Sequence, residues 1–200
     1  MKVSGDAVLH APIARVWEAL NDPAVLVRTI PGCERLEATG PDSYTMVVTA
    51  GVASIKGTYS GEVKLSDQQP PGSFVMSASG AGAPGTVSTD VQVRLSEVDG
   101  ATRLTYDADA VIGGMIGGVG QRMLAGVAKK TAGEFFAAVD DVLTGKAPAT
   151  AIATTEEGVY VAPPKPAKAV PESFVTGAVV GAVIALAGVV VGAVFGRRRA

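Results

Sequence analysis

Between Arg35 and Ile112 the chain breaks into six short segments of alternating character: Arg35 to Ala38, Ser43 to Ala50, Ser54 to Leu65, Ser73 to Gly80, Thr86 to Leu95 and Thr102 to Ile112. Turn chemistry separates them at Gly40-Pro41-Asp42, Pro70-Pro71-Gly72 and Asp99-Gly100. Strands this closely spaced argue for one antiparallel meander. Val3 to Leu9 is a further strand pattern, and Pro12 then opens a helix, Pro12 to Leu20, at the position where its missing N–H does no harm. Asp22 caps a second short helix, which stops at Ile30-Pro31-Gly32 because a residue before proline is pushed out of the helical region. Val119 to Leu143 closes the series, with apolar Met123, Leu124, Val127, Phe135, Val139 and Val142 at helical period.

One strand, two short helices, six strands and one long helix imply an α+β domain, a curved antiparallel sheet wrapped around its last helix. One face of the strands reads Ile55, Gly57, Tyr59, Gly61, Val63, then Phe74, Met76, Ala78, Gly80, then Leu104, Tyr106, Ala108, Ala110. It is apolar but small. Residues 1–144 contain three Phe, three Tyr and one Trp, which leaves little bulk to fill the space under the helix. A cavity for a lipophilic ligand is therefore expected there. The competing explanation, that Gly and Ala mark sheet curvature and tight helix contact, stays open. The expected ligand-binding residues are Tyr59, Phe74, Met76, Ala78, Leu104, Tyr106, Ala108 and Ile112 of the sheet, Met115 and Ile116 of the following loop, and Leu124, Val127 and Phe135 of the helix. A tyrosine suits such a site, since its ring lines an apolar wall while its hydroxyl bonds a ligand carbonyl; Tyr44 is a third candidate.

The Gly113-Gly114-Met115-Ile116-Gly117-Gly118-Val119-Gly120 stretch lacks the Lys-Ser/Thr of a phosphate-binding loop and follows an antiparallel strand. It is expected to be either a flexible lip with exposed Met115 and Ile116 or a loop that needs unusual backbone angles.

Charge divides unevenly: residues 1–144 hold 11 Lys and Arg against 16 Asp and Glu, residues 145–200 hold 6 against 3. Residues 1–144 are the expected folded domain. Residues 145–172, with five prolines among Ala, Thr and Lys, are expected to be a linker reaching roughly 30 Å as coil or roughly 85 Å in polyproline form. Ser173 to Gly196 carries no charge and ends at Arg197, Arg198 and Arg199. As a helix it would measure about 36 Å against a hydrocarbon core of about 30 Å, so residues 173–200 are an expected membrane anchor. Gly177, Gly181, Gly188 and Gly192 share a face that permits self-association in lipid. Orientation is ambiguous, because arginines prefer the cytoplasmic side and a spanning tail would put them outside. A shallow anchor with the arginines at anionic headgroups is the alternative.

Other chemistry is sparse. A net charge of −2 argues against wrapping a nucleic-acid backbone. One cysteine, Cys33, and one histidine, His10, exclude an intramolecular disulfide and make a zinc site implausible. With no disulfide and no secretory leader at Met1, the body is expected in a reducing, cytoplasmic location. No catalytic acid, base or nucleophile stands out; Cys33 lacks an identifiable base, and Asp107, Asp109, Arg122, Lys129 and Lys130 belong to solvated faces.

Val16-Trp17-Glu18-Ala19-Leu20, Asp22-Pro23, Ile30-Pro31-Gly32-Cys33-Glu34, Ile55-Lys56-Gly57-x-Tyr59-x-Gly61, Pro70-Pro71, Thr102-Arg103-Leu104-Thr105-Tyr106 and Gly113-Gly114 stand in order along residues 1–144. As a set they resemble the G-subunit family of carbon monoxide dehydrogenase, a branch of the START-like (Bet v 1-like) superfamily. The resemblance implies a helix-grip fold and a non-catalytic accessory role to a molybdenum-containing carbon monoxide dehydrogenase, which it helps bring to the membrane. Joined to the apolar face, it suggests a carrier on the cytoplasmic face of the membrane. Such a carrier would take up a respiratory quinone of isoprenoid type, such as menaquinone, non-covalently and pass it between lipid and enzyme. Two rival expectations are a ligand-free tether or assembly factor, and a START-like cyclase or hydratase with Tyr59 or Tyr106 as acid.

Overall fold

A computed structural model describes residues 1–147, 153–156 and 158–162. Its elements run β1 (Lys2–Leu9), α1 (Ile13–Asn21), α2 (Pro23–Thr29), β2 (Cys33–Gly40), β3 (Ser43–Val52), β4 (Ile55–Gln69), β5 (Ser73–Gly82), β6 (Gly85–Val98), β7 (Ala101–Gly114), a 3-10 turn (Met115–Val119), α3 (Gln121–Leu143), β8 (Ala153–Glu156) and β9 (Val159–Val161). The strands form one sheet in the order β1-β7-β6-β5-β4-β3-β2-β9-β8, with every neighbouring pair antiparallel.

Local chemistry sets most of these boundaries. The Asp22 side chain accepts a hydrogen bond from the Ala24 amide at 2.8 Å and so caps α2. Ile30, ahead of Pro31, is already extended at φ −69° and ψ 118°, which ends that helix. Asp99 and Gly100 both take positive φ, 51° and 79°, and close the β6–β7 hairpin in two residues. At the end of α3 the Thr144 hydroxyl donates to the Asp140 carbonyl at 2.7 Å, and Gly145 follows with φ 71°.

Cross-strand register places Gly5, Tyr106, Val93 and Phe74 in one row and Val87, Gly80, Gly61 and Met46 in another, all on the face turned to the helices. Gly61 is obligatory in that row, because a Cβ there would run into the Ser79 carbonyl oxygen. The side chains on this face form two packed clusters. The larger joins Leu9, Val16, Val27, Leu36, Leu104 and Val139, linking α1, α2 and the second half of α3 to the sheet. The smaller joins Val52, Ile116 and Leu124 at the other end of α3. Thr102, wholly buried, holds the α1 entry in place by donating from its hydroxyl to the Ala11 carbonyl at 2.8 Å.

This is the expected helix-grip arrangement, with two departures. Part of the segment read as linker is strand: β9 pairs with β2 through Arg35↔Val161, Leu36↔Tyr160 and Glu37↔Val159, and Tyr160 and Ala162 pack against the larger cluster. The compact body accordingly extends to Pro163. The expected anchor at 173–200 lies outside the described residues, and no helix among those residues is long and apolar enough to cross a membrane. The second departure is Ile116. Exposed beside Met115 in the lip reading, it is buried against Val52 and Leu124, because the 3-10 turn rolls it inward while Met115 stays 65% exposed; the alternative, a loop that needs unusual backbone angles, holds at Gly114 and Gly120, with φ 77° and 98°.

Candidate functional site

Between the two clusters the sheet face is apolar without being sealed. Val48, Tyr59, Val63, Met76, Ala78 and Ala108 are each half-buried, and they form a helix-facing strip across β3, β4, β5 and β7, termed the trough below, whose Val48, Val63, Met76 and Ala108 pack against the larger cluster and whose Tyr59 packs against the smaller. Small residues create it. Ala78 faces Val63 on one side and Thr89 on the other, and Gly80 lies between Gly61 and Val87. A Cβ on Gly80 would meet the Ser60 carbonyl oxygen at 3.8 Å, an ordinary contact, so a small side chain is accommodated there.

Of the residues expected to bind ligand, Met76, Ala108, Tyr106 and Phe135 border the larger cluster, and Tyr59, Ile112 and Val127 border the smaller one. Phe74, Leu104, Ile116 and Leu124 are packed into the clusters themselves, and Ala78 belongs to neither. Met115 faces solvent.

Tyr106 is the polar group with the most definite setting. Its ring lies 5.8 Å from that of Phe136 and fills the space left by Gly5, where a Cβ would come within 2.7 Å of the phenol oxygen. Burial, with Asp6 adding a smaller effect, pushes its hydroxyl above the usual tyrosine range, so it remains a neutral donor at physiological pH. Among the described residues neither Tyr59 nor Tyr106 spends its hydroxyl on a protein hydrogen bond. Tyr44 is buried in the larger cluster, its hydroxyl pushed up by burial and then by Asp42, Asp22 and Tyr160.

A shallow groove of about 780 Å³ lies on the opposite face of the sheet, lined by Arg35, Glu37, Thr45, Ser60, Glu62, Ser79 and Ser88 among others. Its lining mixes Arg35, Glu37 and Glu62 with Val47, Ala81 and Val111, whereas the strip on the helix side carries no charged side chain and is the lipophilic candidate.

The remaining reactive groups are structural. Cys33 is buried, its thiol pushed up to about 11 by desolvation and held against the Arg35 carbonyl at 3.6 Å, so no thiolate forms at neutral pH. His10 binds the end of α3: its backbone amide donates to Asp140 Oδ1 at 2.6 Å and its Nδ1 lies 2.9 Å from Oδ2. Sequence had no means of showing that pairing across 130 residues. Among the described residues no three His, Cys, Asp or Glu side chains cluster as metal ligands.

The comparisons agree with this geometry. The family model for the G subunit of carbon monoxide dehydrogenase (CoxG) matches residues 5–144. No curated protein matches the chain. Among solved structures, a conserved protein from Geobacillus kaustophilus is similar at 33% identity and a TM-score of 0.70, over 73% of this chain and 97% of its own. The Zhui aromatase/cyclase from Streptomyces sp. R1128 shares the fold at 17% identity and a TM-score of 0.56, over 74% and 96%. TTHA0849 from Thermus thermophilus does so at 13% identity and 0.57, over 74% and 99%. With more than half its length matched by one family model, and the trough and helix-grip sheet falling within that match, the chain belongs to the CoxG family of carbon monoxide dehydrogenase subunits.

Proposed function

We propose that this chain is a non-catalytic accessory of a molybdenum-containing carbon monoxide dehydrogenase, and that its trough holds a respiratory quinone for passage between membrane and enzyme. The supporting observation is the half-buried apolar strip from Val48 to Ala108 that lies between two closed cores. Each isoprene unit moved from lipid into water costs roughly 3 kcal/mol, so a carrier needs such a strip to offset the transfer. The residues fit the group: Met76, Val63 and Ala78 would cover an isoprenoid chain, and the Tyr59 hydroxyl would donate to a quinone carbonyl, whereas the Tyr106 hydroxyl is turned to Gly5 of β1. A bound quinone would accept the electrons released by carbon monoxide oxidation; the chain's part is to bind it, orient it and keep water from it.

The uncharged stretch 173–196, ending in three arginines, supports attachment at the cytoplasmic face of the membrane. A body tethered there keeps a high effective concentration near lipid. The test is gentle purification of the full chain from membranes, solvent extraction and mass spectrometry. Recovery of a quinone in near-stoichiometric amount supports the carrier; its repeated absence, together with no binding of a short-chain analogue, leaves a ligand-free tether.

A further inference from the structure

Most glycines of the strands are there because a side chain has no room. A Cβ would come within 3.0 Å of a neighbour at Gly5, Gly57, Gly61, Gly82, Gly85 and Gly113. Gly80, inside β5, is different. A Cβ there meets the Ser60 carbonyl oxygen at 3.8 Å and the Gly61 Cα at 4.0 Å, both ordinary contacts, and its φ lies outside the left-handed region. Alanine therefore suits both the space and the backbone. Glycine inside a strand costs stability, since it orders a freer backbone and packs nothing. The fold gains nothing from it at this position. A strand glycine without a steric reason marks a place where something else approaches the backbone.

The register around Gly80 indicates what approaches. Gly61 stands beside it on β4 and Val87 on β6. Two residues further along β5 is Gly82, opposite Tyr59; two residues back is Ala78, opposite Thr89. Gly80 thus lies midway between two hydroxyl-bearing side chains, each a diagonal neighbour at roughly 7–8 Å between backbones. The Tyr59 ring leans across to β5, its Cδ1 3.1 Å from where a Cβ on Gly82 would stand. Thr89 interrupts the apolar row Val87, Val91, Val93 and Leu95 on the helix-facing side of β6 and is half-buried. Among the described residues neither hydroxyl has a hydrogen-bond partner, and neither oxygen is sealed from solvent, so accessible space adjoins both. Thr102, on the same face of β7, instead spends its hydroxyl on the Ala11 carbonyl at 2.8 Å. Between Tyr59 and Thr89 the surface is bare backbone at Gly61 and Gly80, on which a planar group can lie.

We propose that Gly80 is the seat of the quinone ring, which lies flat on the Gly61–Gly80 backbone while Tyr59 and Thr89 donate to its two carbonyls from opposite sides. The isoprenoid chain continues over Ala78 and Met76. Thr89 is in this arrangement the second polar contact, and Gly80 is the position that keeps the ring close to the sheet. A lipid of hydrocarbon chains alone has no use for two donors on either side of a bare strip, so the arrangement selects a ring with carbonyls at opposite edges. The proposal deepens the carrier reading and rests on it.

The test is titration of the full chain, in mild detergent, with a naphthoquinone carrying a single isoprene unit, read by quenching of Trp17, alongside thermal melts of the same proteins without ligand. Gly80→Ala is expected to melt no lower than the parent and yet to bind about tenfold more weakly. Thr89→Val, which keeps the shape and loses the hydroxyl, should bind about fivefold more weakly, and Thr89→Ser should restore binding. Gly61→Ala, whose Cβ would run into the Ser79 carbonyl oxygen, should melt lower and so marks what a glycine required by the fold looks like. A Gly80→Ala protein that melts below the parent assigns this glycine to the fold and overturns the seat. Parental affinity in Gly80→Ala, or equal affinities in Thr89→Val and Thr89→Ser, does the same while leaving the carrier reading in place. A parent protein that binds no quinone removes that reading, and the seat with it.

Discussion

Tyr106 occupies the space that Gly5 leaves on the neighbouring strand, so closely that a methyl group on Gly5 would lie within 2.9 Å of three atoms of the phenol. The pair lies opposite in the β1–β7 register, and the Phe136 ring of α3 borders the tyrosine on its other side. Displacing the ring therefore means moving either α3 or β1. Gly5→Ala is expected to cost about 1–3 kcal/mol, the range for overpacking a filled site. Tyr106→Phe should leave stability nearly unchanged, because the hydroxyl has no protein partner. Thermal denaturation of both variants checks this; equal losses would mean that the hydroxyl, and not the packing, matters.

His10 and Asp140 fasten the end of α3 to the loop after β1. Burial raises the Asp140 carboxyl, but the two hydrogen bonds from His10, aided by Lys146, outweigh it and hold the group below the usual carboxylate range. A carboxylate with a depressed folded pKa adds stability above its unfolded value, about 3.9, and loses it as pH falls through the folded one. Asp140→Asn is therefore expected to cost about 1 kcal/mol at neutral pH. The gap to the parent protein should close below about pH 4. Denaturant melts across that range give the comparison, and a gap independent of pH would show that the charge contributes nothing.

Ending the chain at residue 147 removes β9, whereas ending it at 163 keeps it. Val159 is 6% exposed, and Tyr160 and Ala162 pack on the larger cluster. Burial of one valine alone contributes about 2 kcal/mol. The shorter form is thus expected to be less stable by at least about that amount, read as a lower urea midpoint with the Leu36 strand left as an edge. Equal midpoints would mean that β8 and β9 add nothing to the body.

The strands and helices were largely legible because their signals are local. Asp99-Gly100 forced a tight hairpin, Asp22 and Pro31 bounded α2, and alternation from Ser73 to Gly80 picked the face turned to α3. Alternation does not give depth. Phe74 and Met76 share that face, yet Phe74 is in the core and Met76 borders open space, since their surroundings depend on where α1 and α3 cross the sheet. Val159-Tyr160-Val161 was hidden because three residues ahead of a proline-rich stretch carry too little pattern, and their pairing with Arg35 to Glu37 is a distant contact. Ile116 was misplaced for a similar reason: in a run of glycines nothing local separates it from Met115, and only its packing on Val52 and Leu124 does.

The central claim, that the trough between α3 and β3–β5 takes a lipophilic quinone, is tested most directly by filling it. Ala78→Phe places a ring on the half-buried strip beside Val63 and Thr89, outside both packed clusters, where it should cost about 1–3 kcal/mol of stability. The measurement is titration of the parent protein and this variant with a short-chain quinone, followed by quenching of Trp17, the sole tryptophan, which lies 5.7 Å from Phe74. Saturable quenching in the parent that is lost in the folded variant is the expected result. Identical saturable curves would place the ligand elsewhere, and a parent protein that shows only linear, collisional quenching would contradict the claim outright.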